Sequence, residues 1–128
     1  SELNICTYNA AGVGYGSRDD FAKELKSKDI HVACIQEFAL PGSFRRPPGL
    51  YDCTGYHVII GSGAFGTKIP AIFIAKELTV ERHGWSKYLT YGLVNTLSQK
   101  LAIISVHSPC GRDSDAYERC MSNLKNAE

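Results

Sequence analysis

Three short apolar strands, each ending on a polar side chain, constrain the fold of this chain more than any other feature. The stretch 3–12 reads LNICTYNAAG and carries Asn9, the run 32–37 ends on Glu37, and the run 101–107 ends on His107. In sheets flanked by helices, ligands bind at the carboxyl ends of the strands. The pattern therefore predicts that Asn9, Glu37 and His107 meet at one edge of a sheet.

The composition is that of an ordinary soluble domain, with 44% hydrophobic and 21% charged residues in a chain of 128. Such a length forms one domain or part of one. The net charge of +1 gives no global basic field to attract nucleic acid, so a phosphate-rich ligand has to be held locally. The sequence has no apolar run of the ~20 residues that span a bilayer and no signal-peptide pattern. We therefore expect no membrane partner.

The five cysteines favour an intracellular location, cytoplasmic or nuclear. Cys6 and Cys34 lie inside apolar strands, which predicts buried free thiols in a reducing compartment rather than a disulfide framework. The chain begins at Ser1 and its last residues still look helical. We therefore expect that it was cut from a longer protein.

Local patterns predict an α/β fold. A capping box with Ser17 as N-cap and Asp20 reaching back opens a helix over roughly 18–27. A final helix follows Asp113 and Ser114. Further strands are predicted at 30–38, 56–60, 69–75, within 87–97 and at 101–107.

Two of these strands, 69–75 and 101–106, are almost continuously apolar, which is typical of strands buried on both faces. Two helices cover only one face of a five- or six-stranded sheet. We therefore expect either the missing second half of the protein or a second copy of this chain to cover the other face.

Asn9 and Glu37 supply hard oxygen ligands, and proteins hold Mg²⁺ with such groups together with waters and a substrate phosphate. The ion stabilises charge on a phosphoryl group during transfer, and His107 is suited to donate a hydrogen bond to a phosphate oxygen or to act as a general acid. Arg45 and Arg46, in a proline-rich loop, are suited to clamp a second phosphate. Plainer interpretations stay open: a turn-forming Asn9, a solvated Glu37, a half-buried His107 and solvated arginines.

Two further patterns fit their chemistry poorly. Residues 61–66 match the dinucleotide fingerprint G-x-G-x-x-G, but a strand follows rather than a helix, so we interpret them as a hairpin loop. Cys110 is a weak candidate nucleophile with His107, because a separation of three residues need not bring them face to face. Zinc-ligand residue types occur at a spacing that matches no closed zinc module, in His107, Cys110, Cys120 and either His57 or His83.

With Asn9, Glu37 and His107 in place, the chain resembles the endonuclease/exonuclease/phosphatase superfamily. Its members include pancreatic-type deoxyribonucleases, abasic-site endonucleases, endonuclease domains of non-LTR retrotransposons, and phosphoinositide and sphingomyelin phosphodiesterases. The matching pieces stand in order as NICTYNAAG, VACIQEF, GSGAFGTKIPAIFIAKEL and LAIISVHSP. The stretches AIFIAKEL and HSP lean toward the retrotransposon endonucleases, although many of those have Tyr at the position of His107.

The resemblance implies hydrolysis of DNA or another phosphodiester by water, with Mg²⁺ as the cofactor and Mn²⁺ able to replace it. Asn9 would orient the phosphate or its metal-bound water, and Glu37 would be the main metal ligand of this half. His107 would contact the scissile phosphate or help to protonate the leaving oxygen. The substrate-binding candidates are Arg45, Arg46 and Ser108.

The superfamily's second half supplies an Asp-x-Asn pair, a further Asp and a Ser-Asp-His ending, and this sequence has no counterpart of them. We therefore expect residues 1–128 to be the N-terminal half of such a domain. It would have a mixed five- or six-stranded sheet with helices on one face, half of a four-layer α/β sandwich, and little or no activity alone. The alternatives are a non-catalytic half-domain that forms a homodimeric assembly or nucleic-acid-binding module, and a phosphodiesterase for inositol phosphates or sphingolipids.

Overall fold

A computed structural model describes residues 3–10, 18–39, 48–61, 68–86 and 89–106. These residues form an α/β fold, which confirms the predicted class. The elements are β1 (Ile5–Asn9), α1 (Arg18–Ser27), β2 (Val32–Ala39), β3 (Gly49–Cys53), β4 (Tyr56–Ile60), β5 (Lys68–Ala75), β6 (Thr79–Trp85), β7 (Leu89–Asn95) and β8 (Lys100–Val106).

The first sheet has five strands in the order β1-β2-β5-β4-β3. β1 and β2 are parallel, and every other neighbouring pair is antiparallel, so the sheet is mixed as predicted. Its central strand β5 is buried on both faces: Phe73 lies in the core beneath the helix, and Ile72 and Ile74 lie in a second core on the opposite face. The continuous apolar run of this strand is explained by those two cores.

Helix α1 crosses the first face of this sheet and has the predicted bounds. Fully buried Ala22 lets the helix approach the sheet closely, while the Phe21 ring packs edge-on against Phe73 at 5.3 Å between ring centroids. The first turn is tied to the β3–β4 turn, because the Thr54 amide and hydroxyl both donate to Oδ1 of Asp19. The predicted N-cap, Ser17, lies outside the described residues.

The second sheet, in the order β6-β7-β8, covers the other face of the first. Val94 and Ile103 pack there against β2 and β5 residues in the second core. This corrects the expectation that a missing half or a second copy covers that face. The two sheets approach each other closely at Gly92, where a Cβ would lie 2.7 Å from Cδ1 of Ile59. β8 contributes Ile103 to the second core on one face, while Ala102 on its other face is exposed. The prediction that this strand is buried on both faces is therefore wrong.

The sequence patterns do not predict β3 and β6, and both are edge strands. β6 reads TVERHGW, and five of its seven residues are exposed. β3 is short, follows Pro48 and includes the exposed Asp52. An edge strand needs no continuous apolar run, so neither has the pattern of a buried strand.

One end of the sandwich gathers the beginnings of four strands. A groove of about 580 Å³ is lined there by Leu3 and His31, which precede β1 and β2, by Thr79 at the start of β6, and by Gln99 just before β8. β8 therefore runs in the same direction as β1 and β2. The carboxyl ends of all three strands point to the opposite end. Within the described ranges, no helix is long and apolar enough to span a membrane.

Candidate functional site

Asn9 and Glu37 lie at neighbouring strand ends, as the sequence predicts. Asn9 is in register with Gln36, the residue that precedes Glu37. The Ala10 amide donates a 2.8 Å hydrogen bond to the Gln36 carbonyl, so the parallel pairing continues to the last residue of β1. Neighbouring strands are about 4.8 Å apart, which places the two side chains on adjacent backbones.

Glu37 is part of a β-bulge. β2 has two residues, Gln36 and Glu37, where β5 has only Pro70. The backbone φ of Glu37 is 54°, a left-handed conformation that is uncommon for a residue with a side chain. Bulges re-aim side chains and occur beside active sites. The predicted metal ligand therefore occupies an irregular position in an otherwise regular strand.

The Glu37 side chain is half-buried. Among the residues that the structure describes, none forms a hydrogen bond or ion pair with its carboxylate. The neighbouring Gln36 instead turns back on its own strand, and its Nε2 donates to the Cys34 carbonyl at 3.3 Å. A partly desolvated carboxylate is stabilised by a cation or by hydrogen-bond donors, and the environment described around Glu37 supplies neither.

A chain of contacts leads from the bulge to the end of β8. Pro70, opposite Glu37, accepts a 3.1 Å hydrogen bond from the Gly61 amide. Thr90 packs so closely against Gly61 that a Cβ there would overlap the Thr90 hydroxyl. Thr90 is in register with Ser105, the second-last residue of β8. The end of β8 therefore lies at the same end of the sandwich as Asn9 and Glu37.

At this end of the sandwich, five described residues are each followed by a segment outside the described residues. They are Ala10, Ala39, Gly61, Ser86 and Val106. Loops that are positioned by a rigid sheet carry a disproportionate share of binding and catalytic residues. His107, Ser108, Arg45 and Arg46 belong to those segments, so their predicted roles stay predictions.

Thr90 and Ser105 are polar groups at this end that sequence reasoning missed. Thr90 is fully buried and Ser105 is 3% exposed, and neither hydroxyl has a hydrogen-bond partner among the described residues. A hydroxyl without a partner is costly to bury, and a water molecule is the usual remedy. The signal in the sequence is that each hydroxyl residue occupies a core-facing position of an apolar strand.

The described residues contain no cluster of three or more His, Cys, Asp or Glu side chains arranged to hold a metal. His57 lies on β4 of the first sheet and His83 on β6 of the second, while His107, Cys110 and Cys120 are outside the described part of the chain. The donor set at the strand ends, one carboxylate and one amide oxygen, has the hard-oxygen character that suits Mg²⁺, which keeps several waters.

The three cysteines of the first sheet are structural rather than reactive. Cys34 and Cys53 are buried and Cys6 is half-buried, and all three are free thiols, as predicted for Cys6 and Cys34. Burial raises the pKa of Cys34 and of Cys53 to about 11. At neutral pH these thiols are protonated, which excludes them as thiolate nucleophiles.

No family model and no curated protein matches this chain. Solved structures do match, among them the endonuclease domain of TRAS1, a telomere-specific non-LTR retrotransposon. The match has a TM-score of 0.67 and 14% sequence identity, and it covers 98% of this chain and 54% of that one.

At this identity the similarity shows a shared fold. The shared architecture is the α/β fold described above. The chain spans about half the length of the endonuclease domain that it matches.

Proposed function

We propose that this chain is part of a Mg²⁺-dependent phosphodiesterase of endonuclease type, belonging to the endonuclease/exonuclease/phosphatase superfamily. The observation that carries the proposal is the bulge near the end of β2, where the half-buried Glu37 directly follows Gln36, the residue in register with Asn9. The fold shared with a retrotransposon endonuclease domain supports it.

In this proposal, Glu37 and Asn9 hold the metal ion. When bound, Mg²⁺ supplies charge stabilisation for the phosphoryl oxygens. Asn9 orients the phosphate through its amide, and His107, which follows β8, is the candidate hydrogen-bond donor or general acid. Arg45, Arg46 and Ser108 are the candidate contacts to DNA or another phosphodiester. Inositol phosphates and sphingolipids are alternative substrates that follow from the sequence resemblance.

The first test is metal binding, because it does not require a complete active site. We expect titration with Mg²⁺ to shift the backbone amide NMR signals of Asn9, Ala10 and Glu37. Glu37→Gln keeps the shape of the side chain and removes its charge, so it should abolish these shifts. Asp52→Asn, which removes an exposed carboxylate on β3, is the matched control and should leave them unchanged.

The second test is nicking of supercoiled DNA. We expect little activity from this chain alone, and any nicking should disappear with a chelator and in Glu37→Gln. Shifts that persist in Glu37→Gln, or nicking that continues without a divalent ion, would show that this site is not the metal centre.

A further inference from the structure

The sandwich is stepped on the side of β1. β1 is an edge strand of the first sheet and β8 is an edge strand of the second. β8 packs over β2 and β5, β7 over β5 and β4, and β6 over β4 and β3. The first sheet therefore projects past β8 by the width of one strand, β1. Within the described ranges, no strand pairs with the outer edge of β1 or of β8.

Within the described ranges, Lys100 at the start of β8 is the only charge on either edge strand, and neither strand has a proline. Residues 5–9 of β1 read ICTYN and residues 101–106 of β8 read LAIISV, with no charge and no proline in either run. Natural proteins block free edges with charges, prolines or covering segments. Ile5 is 51% exposed and Tyr8 is 50% exposed, so β1 also leaves apolar side chains uncovered.

Among the residues that the structure describes, both faces of β1 have room for a neighbour. Ile5 is in register with Val32, whose side chain lies in the core between the sheets, yet Ile5 is half-exposed because β8 stands over β2 and not over β1. On the opposite face, Cys6 and Tyr8 line a groove of about 600 Å³ beside Phe21 of α1. A strand added to β1 would therefore bury apolar surface on both sides.

We propose that two copies of this chain assemble about a two-fold axis parallel to the strands, with β1 of each copy pairing with β8 of the other. The axis exchanges the two layers, so the five-stranded sheet of one copy continues into the three-stranded sheet of its partner. The result is two sheets of eight strands. β1 and its symmetry mate stack on each other and fill the step on both copies.

The stacking of strands in this dimer repeats the stacking within one copy. The two β1 strands stack at the centre of the dimer. On either side of them, each β8 lies over β2 of its own copy, as it does in the single chain. Because β1 and β8 run in the same direction, they pair in parallel. The outward-facing residues of β8, among them Ala102 and Ile104, would then cover the groove beside α1 of the partner.

The proposed interface belongs to the standard size class. A standard interface buries about 800 Å² per partner, roughly a tenth of the 7417 Å² surface of this chain. Two strand pairings and two filled grooves are features of an interface of that class.

The dimer would also bring two candidate sites together. The axis runs parallel to the strands, so the carboxyl ends of both β1 strands lie at the same end of the assembly. Asn9 and Glu37 of each copy would then face one shared cleft. The pairing itself does not depend on the proposed function, and its test measures mass and amide protection rather than activity.

Backbone alternation identifies the amides that report the pairing. The Asn4 carbonyl accepts from Val32 and the Ala10 amide donates to Gln36, so the even-numbered residues of β1 bond to β2 and the Ile5 and Thr7 amides point outward. On β8, Thr96 donates to Gln99 across the β7–β8 turn. By the alternation of antiparallel pairs, the Ala102 and Ile104 amides also point outward.

The experiment combines sedimentation with hydrogen exchange. Wild type should sediment as a dimer, and exchange of the Ile5, Thr7, Ala102 and Ile104 amides should slow as concentration rises. Thr7→Pro removes only an outward amide, so it should give a folded monomer, while Thr7→Val keeps that amide and the dimer. Ala102→Pro tests β8 in the same way.

A wild-type monomer at the highest soluble concentration overturns the proposal. So does a dimer that both proline variants leave intact, or an open-ended series of oligomers. A folded circular dichroism spectrum of each proline variant separates loss of pairing from loss of folding.

Discussion

Glu37 combines two unusual properties in one residue. It has a φ of 54°, and it carries a charged side chain near the end of a strand whose first four residues are buried. Strained backbone conformations persist where the surrounding structure imposes them, and they cluster at functional sites. Because glycine adopts this conformation without strain, the presence of Glu at position 37 is not explained by the backbone alone.

We therefore expect Glu37→Gly to increase the stability of the fold. The variant relieves a left-handed conformation that costs about 1–2 kcal/mol in residues with a Cβ, partly offset by the greater freedom of glycine in the unfolded chain. The free energy of unfolding, measured by urea denaturation, should rise by up to about 1 kcal/mol. The same variant should lose Mg²⁺ binding.

Asp29→Gly is the matched control, because Asp29 has a φ of 56° just after α1. It should raise the free energy of unfolding by a similar amount and leave metal binding intact. A loss of stability in Glu37→Gly, combined with a gain in Asp29→Gly, would indicate that the Glu37 carboxylate has a structural role.

At the scale of elements, the packing of β4 against β7 depends on Gly61. A Cβ at this position would overlap the hydroxyl of Thr90 and lie 3.2 Å from Cγ of Pro70. Thr90 is fully buried, so it has little room to move aside. The two sheets therefore approach each other most tightly beside the candidate site.

We predict that Gly61→Ala lowers the free energy of unfolding by about 1–3 kcal/mol, the usual cost of overpacking. Thr90→Ala removes the overlapping hydroxyl, so the double variant should recover part of that loss, with a coupling energy of about 0.5–3 kcal/mol. Denaturant titrations of the four proteins in the cycle measure it. Strictly additive effects would mean that the two residues do not compete for the same space.

Gly92→Ala provides a comparison on the same strand, β7. Its Cβ would meet the side-chain ends of Ile59 and Ile74, at 2.7 Å and 3.4 Å from their Cδ1 atoms. Methyl groups at the ends of flexible side chains shift more easily than a buried Thr90. We expect the smaller loss of stability at Gly92.

At the scale of the whole molecule, the proposed dimer makes stability depend on concentration. Association with a second native copy stabilises the folded state by mass action. The midpoint of thermal unfolding should rise by roughly 2–4 °C for each tenfold increase in protein concentration. In Thr7→Pro this dependence should vanish, whereas a concentration-independent midpoint in wild type would contradict the dimer.

Most of the first sheet could be predicted from the sequence, and the second sheet could not. The apolar runs of β2, β4 and β5 mark strands within a core, and α1 has an amphipathic pattern, so these elements stand close to their predicted positions. β6 is exposed along most of its length and gives no such signal. Without β6, the segment after β5 does not look like the start of a sheet, so the sequence alone leaves the second face to a missing half of the protein or to a second copy.

The candidate site was predictable in part for a similar reason. Asn9 and Glu37 each follow an apolar run, and parallel pairing of β1 with β2 brings them to adjacent strand ends. The pattern VACIQEF does not predict the bulge, because the extra residue is polar and a polar residue is also expected where a strand ends. Thr90 and Ser105 were missed since hydroxyl residues are common on strand surfaces.

Because of the bulge, the candidate site depends on the number of residues in β2 as well as on which residues they are. Ile35 and Phe38 lie in the same core although three positions separate them, because β2 has one residue more than β5 at this point. Deleting Gln36 or Glu37 would restore a regular ladder opposite Pro70 and keep both core residues in place. An alignment of chains with this fold should therefore show a one-residue gap here in those that have lost the site.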